Sequence, residues 1–254
     1  MIPSPRMAFK DYFSEQAEGY AGYRPHYPAS LFTWLADICP QRRCVWDCAT
    51  GSGQAAAALA SQFEQVIATD ASHAQLLQAQ SQVNIHYVCA SAEQVPLAND
   101  SLDLITVAQA AHWFELPHFY QQVERLLVTG GVLAIWCYGL FRITPEIDTI
   151  IQHYYQNTVG AYWPAERRYV EDAYASLSFP YAPLVTPGFM MQADWNLSQV
   201  MGYLATWSAT HLYMKATGAN PLPALQNQLA AHWDVPTQAR SVQWPLHLKV
   251  GHKP

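Results

Sequence analysis

Basic residues are scarce in this chain of 254 residues, which has 13 lysines and arginines against 19 aspartates and glutamates. The net charge of −6, with no basic cluster longer than Arg42-Arg43 or Arg167-Arg168, disfavours nucleic-acid binding, which needs clustered cations. Charged residues make up only 13% of the chain, whereas hydrophobic residues make up 51%. This balance is typical of a globular protein with a large core.

Long apolar runs and paired cysteines are also missing. The longest apolar stretch, GGVLAIWCYGLF, is too short to cross a bilayer, and the N-terminal MIPSPRMAFKDYF lacks the apolar segment of a signal peptide. The five cysteines show no paired spacing, and Cys44, Cys48, Cys89 and Cys137 fall in or at the ends of predicted strands. We therefore expect buried, reduced thiols in a cytoplasmic protein that has no membrane partner.

The chain does contain an alternation of short apolar strands and helices over residues 43–137. The pattern predicts strands at 44–48, 65–70, 84–90, 102–109 and 131–138, with helices at 53–63, 72–82 and 116–131, and Gly130-Gly131 is expected to close the last helix. Strands that alternate with helices form a parallel sheet covered on both faces. The sequence therefore predicts a doubly wound, mostly parallel α/β fold.

The segment VWDCATGSGQAAAALA, residues 45–60, carries the most informative motif. A strand ends in Asp47, and Gly51 to Ala56 then fits the pattern G-x-G-x-x-A. Gly51 and Gly53 let the backbone approach a ligand, and the following helix offers free N–H groups. Asp70 ends the next strand, where a carboxylate can bind the hydroxyls of a ribose.

Asp47 distinguishes two ligands that share these features, NAD and S-adenosylmethionine. Its negative charge would oppose the pyrophosphate of NAD, whereas it would favour the ammonium and sulfonium groups of S-adenosylmethionine. A purely structural alternative is that Asp47 caps the turn through backbone N–H groups.

The stretch DCATGSG resembles the first motif of the class I S-adenosylmethionine-dependent methyltransferases, acid-x-Gly-x-Gly-x-Gly, with Ala49 replacing the first glycine. The family's second acid matches Asp70, and its adenine-side motif matches Ala92-Glu93. LDLITVAQAAHWF matches the motif of strand four. FSEQAEGYAGYRPHYP and AAHWF resemble the trans-aconitate methyltransferase-like group of small-molecule enzymes.

This resemblance implies a Rossmann-like fold and a set of cofactor-binding residues: Tyr20, Arg24, Asp47, Ala49, Gly51, Gly53, Asp70, Ala71, Ala92, Glu93 and Gln109. Tyr20 and Arg24 belong to a segment that resembles the family's cofactor-covering N-terminus, and Arg24 could bind the methionine carboxylate bidentately. The alternative for Arg24 is a surface position stacked on Tyr23 or Tyr27. Glu93 could instead be a solvated carboxylate at the start of a helix.

The region beyond residue 140 is predicted to be mostly helical, at 144–160, 197–214 and 222–233. A late strand is expected at 241–250, and its Pro245 suggests an edge or a bulge. We divide the chain into an N-terminal flap and helix (1–40), a cofactor-binding α/β core (41–140), a helical lid or substrate region with room for a strand (141–238) and a returning edge strand (239–254).

His112 follows strand four closely, so it is expected at the mouth of the site. It is the best candidate for a catalytic base if the acceptor is a hydroxyl or an amine, and it could instead bind substrate, together with Trp113, or serve as a structural hydrogen-bonding group. His73, His86 and His118 show no ligand spacing, and no carboxylate cluster follows strand four, so no metal is expected.

These observations predict a methyltransferase that uses S-adenosylmethionine to methylate a small molecule, and the subgroup resemblance suggests a carboxylic acid as acceptor. Such an acceptor is already ionised and needs no strong base. Two alternatives stay open: a nicotinamide-dependent oxidoreductase, and a non-catalytic protein that binds S-adenosylmethionine. We expect a monomer or a homodimer.

Overall fold

The computed structural model describes residues 25–254, so the predicted cofactor contacts of Tyr20 and Arg24 lie outside the described residues. Its strands are β1 (Cys44–Cys48), β2 (Gln65–Asp70), β3 (Ile85–Cys89), β4 (Leu102–Ala108), β5 (Leu127–Tyr138), β6 (Met190–Trp195) and β7 (Arg240–His252). They form one seven-stranded sheet in the order β3-β2-β1-β4-β5-β7-β6.

The first five strands are parallel to one another, which confirms the predicted doubly wound, mostly parallel α/β fold. β1 pairs with β2 on one side and with β4 on the other, so it lies inside the sheet. Its successive residues Val45 and Trp46 belong to two different apolar clusters, one on each face of the sheet. Both residues are apolar because helices cover both faces of the sheet.

The helices are α1 (Ala29–Asp37), α2 (Gln54–Leu59), α3 (His73–Leu76), α4 (Leu116–Leu126), α5 (Pro145–His153), α6 (Arg168–Glu171), α7 (Leu197–Ala205), α8 (Ser208–Thr217) and α9 (Leu222–Ala230). α1 and α2 bury Leu31 and Leu59 on one face, and α4 buries Phe119 and Val123 on the other. Within residues 25–254, no helix is both long and apolar enough to span a membrane.

The aromatic residues of the region 141–238 pack largely against one another and against β7. Trp195 and Trp244 place their ring centroids 5.0 Å apart, and Tyr203 lies 5.7 Å from Trp244. Such edge and tilted ring contacts stabilise a core beyond the area that they bury. Much of the aromatic content therefore serves to hold this region onto the sheet.

The predicted closure of a helix by Gly130-Gly131 is wrong. α4 ends at Leu126, and β5 begins at Leu127, so both glycines lie inside the strand. The pairing of β4 with β5 shifts register between Leu102 and Leu104, and Gly130 takes a left-handed φ of 76° there. The glycines therefore accommodate an irregularity in the strand, which is a second common use of glycine.

The prediction that the last strand lies at an edge is also wrong. β7 is inserted between β5 and β6, antiparallel to both, and β6 takes the edge. Pro245 is tolerated because the ladder with β5 begins only at the next residue, where Leu246 pairs with Tyr138. The missing N–H of the proline therefore removes no bond from that ladder.

The expectation of buried cysteines holds for only part of the set. All five cysteines are free thiols, and Cys48 and Cys137 are buried, but Cys44 is only partly buried and Cys89 is exposed. Cys89 is exposed because it ends β3, the strand at the other edge of the sheet. Burial raises the pKa of Cys137 to about 12, so this thiol stays protonated and unreactive at neutral pH.

Gly251 of β7 is a position where the strand tolerates no side chain. A Cβ there would lie 2.8 Å from the carbonyl oxygen of Ala182 and 2.9 Å from the Cβ of Tyr181. We expect Gly251→Ala to lower the free energy of unfolding by about 1–3 kcal/mol, the usual cost of overpacking. Urea unfolding measures this loss. Gly188→Ala is the control, because a Cβ there meets nothing within 4 Å. Equal stability of the two variants would contradict the predicted packing.

Candidate active site

The loop after β1 is built from residues in the left-handed backbone conformation. Ala49, Gly51 and Gly53 have φ values of 55°, 59° and 81°. An L-residue with a side chain pays roughly 1–2 kcal/mol for this conformation, whereas glycine does not. A glycine, as in the motif that this stretch resembles, would adopt the φ of Ala49 without that cost.

Gly53 also brings the loop close to β3. It precedes α2, and a Cβ at this position would lie 2.4 Å from the hydroxyl oxygen of Tyr87. A side chain here would displace the tyrosine ring, and the left-handed φ of 81° would strain it as well. The loop therefore exposes backbone rather than side chains at this point, as a loop that receives a ligand must.

Asp47 is fully buried at the end of β1 and is held by three donors. Its Oδ1 accepts a hydrogen bond of 2.8 Å from Thr106 of β4, its other oxygen accepts one from Thr50 of the loop, and the backbone of Ala56 bonds it as well. Burial raises the pKa of this carboxyl to about 6, although these hydrogen bonds partly offset the shift. Of the backbone N–H donors considered for Asp47, these contacts include only that of Ala56, which lies in α2, and the other two donors are threonine hydroxyls.

Asp70 joins the end of β2 to the same loop. Its two carboxylate oxygens accept hydrogen bonds of 2.8 Å from the backbone N–H of Gly51 and of 2.8 Å from that of Ser72. Ala71, between Asp70 and Ser72, is exposed. The structure thus brings together the two glycines and both acids that the sequence singled out.

Ala92 and Glu93 lie beyond β3. Ala92 is buried, and Glu93 is partly buried, with its Oε1 accepting a 3.1 Å hydrogen bond from the backbone N–H of Glu115. Glu115 immediately precedes α4, so the Glu93 carboxylate supports the start of that helix. The sequence suggested that Glu93 is a solvated carboxylate at the start of a helix. In the structure it contacts the start of α4, which is distant from it in sequence.

The first described residues of the N-terminal segment lie beside the glycine loop. The Gln54 side chain, at the start of α2, donates a 2.8 Å hydrogen bond to the carbonyl oxygen of Pro25, and it also lies 3.2 Å from Nδ1 of His26. Tyr27 packs edge-on against Trp136, with 5.5 Å between their ring centroids. Residues 25–27 are therefore anchored next to the motif that follows β1.

A cavity of about 100 Å³ lies where the ends of β4 and β5 meet the region 141–238. The sheet side contributes Gln109, His112, Trp113, Tyr138 and Gly139, and the opposite side contributes Trp163, Pro164, Arg167, Tyr203, Thr206, Trp207 and Ser208. The predicted substrate residues His112 and Trp113 therefore share one cavity with Gln109. Its volume suits a small molecule better than a drug-sized ligand.

The side chain of Gln109 hydrogen-bonds the backbone of Tyr138, at the end of β5. Its amide donates a 2.9 Å hydrogen bond to the carbonyl oxygen of Tyr138 and accepts one of 3.2 Å from the N–H of the same residue. Its left-handed φ of 57° ends β4 and turns the chain towards His112. Gln109 therefore fixes the cavity wall by joining β4 to β5.

His112 is fixed by Tyr174. Nδ1 of the imidazole lies 2.8 Å from the hydroxyl oxygen of Tyr174. The same hydroxyl oxygen accepts a hydrogen bond from the backbone of His112, and Tyr174 is fully buried. When the Tyr174 hydroxyl donates to Nδ1, the proton of the neutral imidazole lies on Nε2. Burial, reinforced by the positive charge of Arg167, lowers the pKa of His112 to about 3.

Sequence reasoning missed Tyr174 and noted Arg167 only as half of a basic pair. Both come from residues 141–238, far from His112 in sequence, and neither belongs to a motif. Ala173 and Tyr174 have left-handed φ values of 57° and 61°, two adjacent strained residues that no sequence pattern signals. The described residues contain no group of three or more side chains that could hold a metal ion.

The buried histidine is expected to make folding stability depend on pH. Because its pKa is about 3 when folded, the unfolded chain binds a proton below about pH 6.5 that the folded protein does not bind. Wild type should therefore lose stability relative to His112→Gln as the pH falls from about 6.5 to about 4, by up to about 1.4 kcal/mol per pH unit. The difference should stay constant above about pH 7.

Urea unfolding of both proteins across this range measures the difference, in which the titration of Asp47 cancels because both proteins contain it. A difference that does not change with pH would contradict a neutral, buried His112.

The sequence and the structure are similar to those of proteins named as methyltransferases. Residues 46–135 match a methyltransferase domain family. A protein of Dictyostelium discoideum named as a methyltransferase is 33% identical over 99% of this chain and 98% of its own length. A solved structure described as a type II methyltransferase from Anaeromyxobacter dehalogenans is 38% identical, with a TM-score of 0.86 over 91% of this chain and 98% of that one.

A Saccharomyces cerevisiae protein named as an S-adenosylmethionine-dependent methyltransferase is 31% identical over 50% of this chain and 45% of its own length. These matches agree with the left-handed loop after β1, its link to Asp70 and the sheet order, and none of them favours the oxidoreductase or the non-catalytic alternative. The chain therefore belongs to the class I methyltransferases, enzymes whose methyl donor is S-adenosylmethionine.

Proposed function

We propose that the enzyme methylates a small carboxylic acid held in the cavity beside His112. The observation that carries this proposal is the cavity itself, about 100 Å³ in volume, between the ends of β4 and β5 and the region 141–238. Its small size favours a small-molecule acceptor over a macromolecule. The similarity of the N-terminal and AAHWF segments to the trans-aconitate methyltransferase-like group supports a carboxylate as the methylated group.

The loop after β1 fits the methyl donor. Gly51 and Gly53 leave backbone exposed where side chains would intrude, and Asp70 ends β2 beside this loop, where a carboxylate can accept the ribose hydroxyls. Asp47, together with Ala49, shapes the loop that would receive the methionine end. Ala71, Ala92 and Glu93 would line the adenine side, largely through their backbone, and Gln109 would border the transferring methyl.

Bound S-adenosylmethionine supplies an electrophilic methyl group, so the protein chiefly has to align the acceptor and exclude water. Trp113, Tyr203 and Trp207 enclose the cavity with aromatic surface. The Nε2–H of His112 can donate a hydrogen bond to one acceptor oxygen and leave the other free to attack. With a pKa of about 3, His112 is a poor proton acceptor, which favours positioning over general-base catalysis.

Residues preceding Pro25 are proposed to act as a flap over the donor, with Tyr20 and Arg24 as its cofactor contacts. The support for this proposal is the attachment of Pro25 and His26 to Gln54 beside the loop. Removal of residues 1–24 should then weaken binding of S-adenosylhomocysteine in calorimetry without unfolding the sheet, and unchanged affinity would contradict the flap.

Asp70→Ala should weaken binding of S-adenosylhomocysteine by about 1–3 kcal/mol, because buried hydrogen-bond partners lose their acceptor. Isothermal titration calorimetry measures the change, and wild type should show no measurable binding of NAD. Asp194→Ala is the control, because Asp194 is an exposed carboxylate on β6, at the sheet's far edge. If Asp70→Ala bound as tightly as the control variant, Asp70 would only support the loop.

His112→Gln should mainly raise KM for the acceptor, because glutamine keeps a donor but loses the position that Tyr174 fixes. We expect kcat to change by less than about tenfold and to show no histidine step near pH 6–7 in wild type. Steady-state kinetics across pH test this. A fall of roughly 10²–10⁴-fold in kcat, with a step that disappears in the variant, would instead identify a general base and exclude a carboxylate acceptor.

A further inference from the structure

Arg167 brings a positive charge to the cavity from the side opposite His112. It lies at the end of a short 3₁₀ turn, Ala165–Arg167, just before α6, and it is partly buried. Among the described residues that line the cavity it is the one permanent cation. Its charge contributes, after burial, to the lowered pKa of His112, so the cation acts across the cavity.

The guanidinium group is held in place without a carboxylate. Its central carbon lies 4.8 Å from the ring centroid of Trp163 and 5.6 Å from that of Tyr155, both at cation–π distance. Nε donates a 3.0 Å hydrogen bond to the Tyr155 hydroxyl, which in turn donates one of 2.7 Å to Glu171. Within residues 25–254, no carboxylate lies within 4.0 Å of the Arg167 guanidinium.

The two Nη groups of Arg167 have no hydrogen-bond partner among the described residues. The side chain is therefore oriented through Nε and the aromatic rings, while the outer donors of its planar fork remain available. A guanidinium fork of this kind matches a carboxylate bidentately, and each carboxylate oxygen keeps a second lone pair with which it can attack. Because the described lining of the cavity contains one permanent cation, its single positive charge neutralises a monoanion but not a phosphate dianion.

We propose that Arg167 binds the acceptor's reacting carboxylate, which makes the enzyme selective for small monocarboxylic acids over their esters. This inference rests on the proposed function of the cavity. In the transfer, one carboxylate oxygen forms the new C–O bond while the S–CH₃ bond breaks, and the bonding electron pair stays on sulfur. No proton moves, and the product is a neutral ester.

The ion pair therefore exists with the substrate and not with the product. Arg167 contributes to binding the acid, and methylation removes the charge that it holds. The neutral ester is then bound without an ion pair, which favours its release. Neutral molecules of similar shape cannot form this ion pair with Arg167, so they compete poorly for the cavity.

The test is calorimetric titration of the protein saturated with S-adenosylhomocysteine. The probes are a series of straight-chain and aromatic monocarboxylic acids, from acetate to benzoate, each paired with its methyl ester. Arg167→Gln should weaken binding of the acids roughly 10- to 100-fold, the range for lost hydrogen bonds to a charged group. Binding of the esters should stay the same.

The neighbouring arginine provides a matched control. Arg168 is exposed, with its guanidinium carbon 4.9 Å from the ring centroid of Tyr169, and it does not line the cavity. Arg168→Gln should therefore bind acids and esters as wild type does. Arg167→Lys keeps the charge and the stem but loses the fork, so its preference for acid over ester should fall between those of wild type and Arg167→Gln. This variant decides the question if Arg167→Gln does not fold.

Several results would overturn the role of Arg167. These are unchanged acid binding in Arg167→Gln, an equal loss for acid and ester, an equal effect of Arg168→Gln, or wild type that binds S-adenosylhomocysteine but none of the acids. In each of them, binding of S-adenosylhomocysteine leaves the methyltransferase function standing. A wild-type protein that fails to bind S-adenosylhomocysteine would instead contradict the proposed function of the site.

Discussion

The buried carboxylate of Asp47 is the constraint on which the donor side of the structure depends. It ties the end of β1 to Thr106 of β4, to Thr50 of the loop and to the backbone at the start of α2. A buried carboxyl is costly unless its oxygens are satisfied, so these donors must stay in place. The left-handed loop at Ala49 and Gly51 is thereby held in one conformation, and Asp70 closes it from the neighbouring strand.

The acceptor side depends on contacts between the sheet and a region distant in sequence. Gln109 locks β4 to β5, and Tyr174 orients His112 from the opposite side, so the cavity wall is rigid where the strands end. The aromatic residues beyond residue 140 serve two purposes. Trp195 and Trp244 anchor the region to β7, whereas Trp163 faces the cavity and supports Arg167.

The environment of His112 bears on the chemistry of transfer. A histidine with a pKa near 3 stays neutral and gives little driving force for removing a proton from a hydroxyl or an amine. A carboxylate acceptor requires no such removal, and a nearby Arg167 favours an anion. These two properties are consistent with each other, because the cation that attracts a carboxylate also disfavours protonation of the imidazole.

The sequence by itself determined that the first five strands form a parallel sheet, and it located the glycine loop and the two acids at the strand ends. Apolar periodicity and turn residues act locally, so their consequences can be predicted without knowing the fold. Only the tertiary structure decided that β7 lies inside the sheet, that Gly130 and Gly131 belong to β5, and that Tyr174 and Arg167 meet His112. The hydrogen bond between His112 and Tyr174 joins residues 62 positions apart, and packing of the whole chain, rather than any local pattern, brings them together.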